Sequence, residues 1–320
     1  MYNEHKVCVI LLAYNEEPSI GTVLDRIPDY VDEVVVVDDG STDKTAKIAR
    51  GKGAVVVGHS RNRGVGTAFQ TGVKKALELN AGVTVNMDAD GQFDPGDIEK
   101  LIEPIIRGEA DFVTASRFLD TRITPKMPKI RHWGNIAMSG LVSFLVGQKF
   151  YDVSCGFRAY SREALLRLNL LGRFTYTQET FLDLAFKDLV LKEVPVVVRG
   201  VREHGQSKVV KSLPRYIYRT LNIILRAFRD YKPWKFFGFL AAVLFSIGLV
   251  LELFMLVYYI WTGRFSPYKF VGLTGGFFLG MAVILFITGL LADMLSRIRV
   301  NQEEILYHER KEMLTRKSEP

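Results

Sequence analysis

Two apolar runs near the C-terminal end of the chain set the frame. Phe236 to Trp261 (FFGFLAAVLFSIGLVLELFMLVYYIW) is apolar almost throughout, interrupted by Glu252 alone, and Phe270 to Ala292 is a second such run. Each exceeds the roughly 20 residues a helix needs to cross a bilayer core. The short connection between them holds Gly263 and Pro267, so a tight helical hairpin is expected. Arg226, Arg229, Lys232 and Lys235 precede the hairpin and Arg297 and Arg299 follow it, against Arg264 and Lys269 in the connection. The positive-inside rule then places both chain ends in the cytoplasm. The plainer alternative, two buried core helices of a soluble protein, fits the length and continuity of these runs less well.

A third feature leads into the hairpin. Between Lys208 and Lys232, a spacing of 100° per residue puts Arg215, Arg219, Arg226 and Arg229 on one stripe, with Ile217, Leu221, Ile224, Leu225 and Phe228 opposite. Such a helix is expected to lie in the headgroup plane, its Arg side against lipid phosphates. A helix packed on a catalytic domain with a solvated basic face is the alternative. The formal net charge of +7 is compatible with nucleic acid, but the placement of the basic residues argues for a membrane surface.

The 320 residues leave room for one catalytic domain of about 200 residues plus appendages. The start, MYNEHKVCVILLAYNEE, reads as a core strand and not as a signal peptide. Cys8 and Cys155 show no CxxC spacing and are expected as idle, buried thiols. The expected division is a catalytic domain over 1–208 and an interfacial helix over 209–232. Two transmembrane helices follow over 233–295, and a charged cytoplasmic tail over 296–320.

The first 110 or so residues alternate strand and helix patterns. Lys6–Ala13, Glu33–Val37, Ala54–Val57 and Val83–Met87 read as strands. Pro18–Arg26, Asp43–Lys52 (capped by Ser41 or Thr42), Val65–Leu79 and Pro95–Arg107 read as helices. This alternation predicts an α/β domain with a mostly parallel, Rossmann-like sheet covered on both faces, whose ligands bind at the carboxyl ends of the strands. Asn15, Glu16, Asp38, Asp39, Asp88 and Asp90 fall at those ends. Asp88 and Asp90, in VTVNMDADGQFD, are hard oxygen donors at i and i+2 that suit Mg²⁺ or Mn²⁺ carrying a diphosphate. Alone, the pair is a weak signal and a solvated loop is the commoner reading; its company strengthens it. No Gly-x-Gly-x-x-Gly follows the first strand.

Together these segments resemble a known family. Tyr14-Asn15-Glu16, Val37-Asp38-Asp39-Gly40-Ser41-Thr42-Asp43 and Asp88-Ala89-Asp90-Gly91-Gln92 look like the nucleotide-sugar half of family-2, GT-A-fold glycosyltransferases. Ser116-Arg117-Phe118, Asp152 to Arg158 and Arg202 to Lys208 resemble the polyprenyl-phosphate branch typified by dolichyl-phosphate mannose synthase. The resemblance covers about residues 6–210 and extends to the C-terminal pair of spans. It implies that Asp38 and Asp39, with Ala13, Tyr14, Asn15, Glu16 and Gly66, hold the nucleotide. It assigns the metal to Asp88, Asp90 and Gln92. Arg117 and Arg131 would grip the acceptor phosphate, and Arg202 and Lys208 would lie near the donor diphosphate. The chain departs from the pattern at Asn135, where the family often carries Ser, and at Gly91-Gln92, where the mannose enzymes commonly have Leu before Gln. The implied donor is therefore a GDP- or UDP-sugar, the acceptor a polyprenyl phosphate.

A phosphate monoester is largely dianionic at neutral pH and is already a nucleophile, so catalysis needs positioning and charge neutralisation without a general base. Glu179 would act as base only with a hydroxyl acceptor; a solvent-facing helix residue is the plainer reading. His132 and His204 have no partners for a metal site. A nucleotidyltransferase would want a basic, Gly-rich loop where AYNEE is acidic, and a bare scaffold would not need Asp88, Asp90 and Gln92.

Overall fold

The computed structural model describes residues 1–125, 127, 129–170, 176–198, 221–222, 225–226 and 228–318. It falls into two compact units, Met1–Ile224 with Glu304–Pro320, and Leu225–Glu303.

In the first unit, strands β1 (Val7–Ala13), β2 (Glu33–Asp38), β3 (Val55–Gly58) and β4 (Val83–Asp88) alternate with helices α1 (Glu17–Asp25), α2 (Thr45–Gly51) and α3 (Val65–Glu78). After α4 (Ile98–Ile106) come β5 (Phe112–Ser116), α5 (Lys129–Val146), β6 (Arg158–Ser161), α6 (Arg162–Arg167), α7 (Thr177–Ala185) and β7 (Leu191–Pro195). Among the described residues they form one sheet in the order β3-β2-β1-β4-β6-β5-β7. β6 runs antiparallel to both its neighbours, while β1 to β4 pair in parallel, as do β5 and β7. The ends of β1, β2, β4 and β5 therefore open on one edge.

The predicted strands and helices of the first 110 residues form within a residue or three of their expected bounds. β1 is buried at every position because helices cover both faces of the sheet. On one face Val7, Val9 and Leu11 join Ile98, Leu101 and Ile102 in the core. On the other, α3 comes so close that a Cβ on Gly72 would lie 2.5 Å from Ile10 Cγ2 and 3.2 Å from Val37 Cγ2. The capping expectation for α2 fails. The helix starts at Thr45, and the Asp43 carboxylate accepts from the Thr45 N–H (3.0 Å). The Ser41 hydroxyl is drawn away to accept from the Asn15 N–H (2.8 Å). Pro95–Asp97 is a 3₁₀ turn ahead of α4, its entry capped by Asp94, which accepts from the Gly96 N–H.

In the second unit α8 (Pro233–Thr262) and α9, which begins at Lys269, pack antiparallel through glycines. Gly248 faces Leu279, Gly272 faces Met255, and Gly289 faces Phe237. Glu252 lies against the notch left by Gly275 and Gly276. Both helices are long and apolar enough to cross a membrane. α9 continues to Ser318, so the segment expected as a charged tail is helical. Its charges pair at helical spacing, Asp293 with Arg297 (3.2 Å) and Arg299 with Glu303 (2.8 Å).

Within the first unit, the stretch from Glu304 packs on α6. Tyr307, 7 % exposed, donates to Glu163 (2.9 Å) and lies under the Arg167 guanidinium. Arg310 donates to the Leu166 and Leu168 carbonyls and to Asn169 Oδ1 (2.9, 3.0 and 2.8 Å). It thereby satisfies carbonyls that a helix end leaves without partners.

Candidate active site

The edge where β1, β2 and β4 end collects the acidic residues. Register sets Ala13 beside Asp38 and Leu12 beside Asp88. Asn15 follows at φ +53°, a left-handed conformation that Asn tolerates better than most residues. There its Oδ1 accepts from the Thr42 N–H (2.8 Å), which ties the end of β1 to the loop after β2. Glu16 is buried, and its N–H donates to Thr45 Oγ1 (2.9 Å). Asp38, also buried, accepts from the Ser41 N–H (3.0 Å).

Asp39 has a partner that the sequence reading missed. Its Oδ1 takes His59 Nδ1 at 2.7 Å and the Arg63 N–H at 2.9 Å, and its Oδ2 takes the Gly64 N–H at 2.8 Å. Gly40 (φ +76°) is pressed against the same loop, where an added Cβ would lie 2.5 Å from the Arg61 carbonyl carbon. α3 starts directly after Gly64 and buries Gly66 in its first turn.

Asp88 closes β4, and Asp90 lies buried in the turn beyond it, accepting from the Gln92 N–H (3.1 Å). The turn is fixed from α1 by the Ser19 hydroxyl, which donates to the Ala89 carbonyl (2.8 Å). Among the described residues no three His, Cys, Asp or Glu side chains converge as a metal cage. A carboxylate pair fits an ion that takes the rest of its shell from phosphate and water, as Mg²⁺ does. The space beside Asp88 also fits: a Cβ on Gly156 would lie 3.3 Å from Asp88 Oδ2 and 3.3 Å from the Tyr176 hydroxyl. Burial, then the Asp88 charge, push the Tyr176 phenol well above its ordinary value, so it stays neutral. It accepts from Asn86 Nδ2 at 2.7 Å and its ring stacks on Phe69.

Arg117 follows the end of β5 and is gripped from below. Its Nε and Nη2 donate to the two oxygens of Asp152 at 2.6 and 2.9 Å, and Nη2 also reaches Ser154 Oγ at 2.7 Å. Burial works to raise the Asp152 carboxyl, but the Arg117 charge and hydrogen bonds outweigh it and hold it below the ordinary Asp range. Glu193 on β7 accepts from the Tyr151 and Asp152 N–H groups (2.8 Å each); burial raises its carboxyl. Ser154 donates to Asn135 Oδ1 (3.2 Å) and so connects Arg117 to α5. Asn135, the departure from the family Ser, thus serves as a link between two site elements. Arg131 falls in the first turn of α5; its side chain lies outside the described residues. Further along α5, Trp133, Ile136 and Phe144 are exposed.

Arg158 is fully buried and donates to the Cys155, Thr177 and Val153 carbonyls (2.7, 2.8 and 3.0 Å), which pins the loop holding Asp152, Ser154 and Gly156. Burial pushes the Cys8 and Cys155 thiols up to about 12. Glu179 lies half-buried in the first turn of α7. Arg202, His204 and Lys208 lie outside the described residues, as does 209–220 of the expected interfacial helix. His59 and Glu193 were missed as site residues because nothing in their local pattern marks them; Asp152 opens a segment that carries the family resemblance, but it was given no role there.

The family model for glycosyl transferase family 2 matches residues 8–168. The chain belongs to that family, and its domain is a GT-A-type glycosyltransferase. Among its relatives is the UDP-N-acetylglucosamine–dolichyl-phosphate N-acetylglucosaminyltransferase of Methanococcus voltae, 33 % identical over 59 % of this chain and 84 % of that one. Another is the dolichyl-phosphate hexose transferase of Haloferax volcanii, 34 % identical over 65 % and 88 %. Among solved structures, Mycobacterium tuberculosis glucosyl-3-phosphoglycerate synthase with Mn²⁺, UDP and phosphoglyceric acid aligns with TM-score 0.56 at 25 % identity, over 70 % of this chain and 79 % of that one.

Proposed function

We propose that this glycosyltransferase moves a hexose, with inversion, from a GDP- or UDP-sugar to the phosphate of a polyprenyl phosphate at a membrane surface. The observation that carries this reading is the Arg117–Asp152–Ser154 assembly. It sets a half-buried guanidinium on the sheet edge that also carries Asp88 and Asp90, connected through Asn135 to α5, whose first turn holds Arg131. The relatives named for transfer to dolichyl phosphate support it. So do the exposed Trp133, Ile136 and Phe144 on the same helix, which suit contact with lipid.

In this reading Ala13, Tyr14, Asn15, Glu16, Asp38, Asp39 and Gly66 surround the nucleoside. Asp88, Asp90 and Gln92 would hold Mg²⁺ or Mn²⁺, whose charge offsets that of the diphosphate when bound; the Mn²⁺ in the solved neighbour supports a divalent ion. Arg117 and Arg131 orient the acceptor phosphate by paired hydrogen bonds. A phosphate oxygen attacks the anomeric carbon as its bond to the nucleoside diphosphate breaks, and the electron pair leaves with the diphosphate. Arg202 and Lys208 belong beside that leaving group. No proton is transferred in this step, so Glu179 has no catalytic part. Two membrane crossings by α8 and α9, with the catalytic unit and both termini cytoplasmic, complete the proposal. No contact with nucleic acid is called for.

The test compares polyprenol with polyprenyl phosphate as acceptor, then Arg117→Ala with wild type. The expected results are transfer to the phosphate alone and a penalty of about 2–5 kcal/mol in kcat/KM for the lipid, with donor affinity almost unchanged. Equal transfer to the free alcohol would make the acceptor a hydroxyl and Glu179 the base to examine.

A further inference from the structure

His59 has no part in the chemistry above, yet its contact with Asp39 is among the most enclosed polar contacts at the site. Both side chains are 6 % exposed. An ionised carboxylate has about four acceptor positions and no donor. Asp39 uses both on Oδ1, for His59 Nδ1 and the Arg63 N–H, and one on Oδ2, for the Gly64 N–H. One acceptor position on Oδ2 is left. Because the facing Asp39 oxygen can only accept, Nδ1 of His59 carries the proton. The other ring nitrogen lies 3.0 Å from Thr71 Oγ1 on α3, so the imidazole is held from both ends and cannot swing off the carboxylate.

Position decides what that remaining lone pair meets. Asp39 follows the end of β2 and Asp88 ends β4, with β1 between them. Two strand spacings separate them by about 10 Å, a reach suited to a nucleoside whose base lies at Asp39 and whose phosphates lie at Asp88 and Asp90. We infer that His59 is a positioning residue that leaves Asp39 a single acceptor site, and that this site selects a uracil base over guanine. Uracil presents one imino N–H, flanked by carbonyls. Guanine presents N1–H and the N2 amine side by side, which need both oxygens of a carboxylate. With Oδ1 filled, guanine would leave one donor buried without a partner, a desolvation penalty that disfavours it. The inference rests on the nucleotide-sugar reading of this site.

The test is calorimetric binding of UDP and of GDP, each with Mn²⁺, to the full-length protein in detergent. Wild type, His59→Asn and His59→Gln are compared, and thermal melts are recorded alongside. The Asn amide places an N–H near the position of Nδ1 and keeps the bond to Asp39; the Gln amide reaches toward Thr71 instead. Wild type is expected to bind UDP at least about tenfold more tightly than GDP. His59→Gln should lose about tenfold or more in UDP affinity, and His59→Asn should recover most of it, even where the two melt at the same temperature. Equal affinities of wild type for UDP and GDP would overturn the base selection. Equal UDP affinity in both variants, whether retained or lost, would overturn the positioning role. Sugar transfer is followed separately. Transfer from a GDP-sugar alone would sink this inference and leave the proposed function standing. Tight UDP binding without transfer to polyprenyl phosphate would do the reverse.

Discussion

Replacing Asp152 by Ala should destabilise the catalytic unit sharply. The carboxylate is fully buried and meets Arg117 through two oxygens, at 2.6 and 2.9 Å. It also accepts from the Ser154 N–H at 3.1 Å and the Arg117 N–H at 3.2 Å. Removing one member of a buried ion pair costs about 3–5 kcal/mol, because the other charge stays buried without compensation. Arg117 retains 20 % exposure, so water recovers part of the loss and about 2–4 kcal/mol is the working figure. For a unit of this size that lowers Tm by roughly 4–16 °C. Thermal unfolding followed by circular dichroism is the assay, with Arg117→Met and the double variant completing a cycle. Removing both charges should recover much of the loss, with a coupling of at least about 1.5 kcal/mol. Additivity within about 0.5 kcal/mol would refute the reasoning. The pH dependence has a fixed sign. The folded-state value of Asp152 is lowered from its ordinary 3.8, so its contribution is complete above that value and is lost as pH falls through the lowered one. The Tm gap between wild type and Asp152→Asn should therefore be constant near neutrality and narrow below about pH 4.

Gly72→Ala should cost about 1–3 kcal/mol by overpacking, since its Cβ would lie 2.5 Å from Ile10 Cγ2; a melt unchanged within error would show that α3 can lift at no cost. Asp88→Ala, Asp90→Ala and EDTA should each reduce turnover by orders of magnitude, with Mn²⁺ or Mg²⁺ restoring the EDTA-treated wild type; full activity in metal-free buffer would remove the metal from the mechanism. Arg310→Ala withdraws three hydrogen bonds from the end of α6 and should destabilise the catalytic unit by about 1–3 kcal/mol, as read by urea unfolding. Its acceptor KM should stay near that of wild type; a raised acceptor KM would mean the contact acts on the site itself.

The parts of this protein set by local pattern were legible in its sequence. Short apolar-rich runs between turn residues gave β1 to β4, most plainly β1, where every position is apolar and buried. Asp88 and Asp90 stood out through their company, since AYNEE and VVDDGSTDKT also follow apolar strand-like runs; alone, such a pair is more often a solvated loop. Length and continuity marked α8 and α9 as membrane-spanning candidates, and the family was readable because several motifs occurred together in order. What the folded chain alone decided are pairings between residues far apart: His59 with Asp39 at a separation of 20 residues, Arg117 with Asp152 at 35, and Arg310 with the Leu166 carbonyl at 144. No period of 2 or 3.6 reports on such contacts. Asp152 reaches Arg117 only because β6 runs antiparallel between β4 and β5, which brings the loop before it alongside the end of β5. The helical course of α9 beyond Ser296 was hidden for a related reason. A run rich in charge reads as a solvated tail until i to i+4 pairs, and a buried Tyr307 against α6, give its one apolar ring and its charges partners that composition does not display.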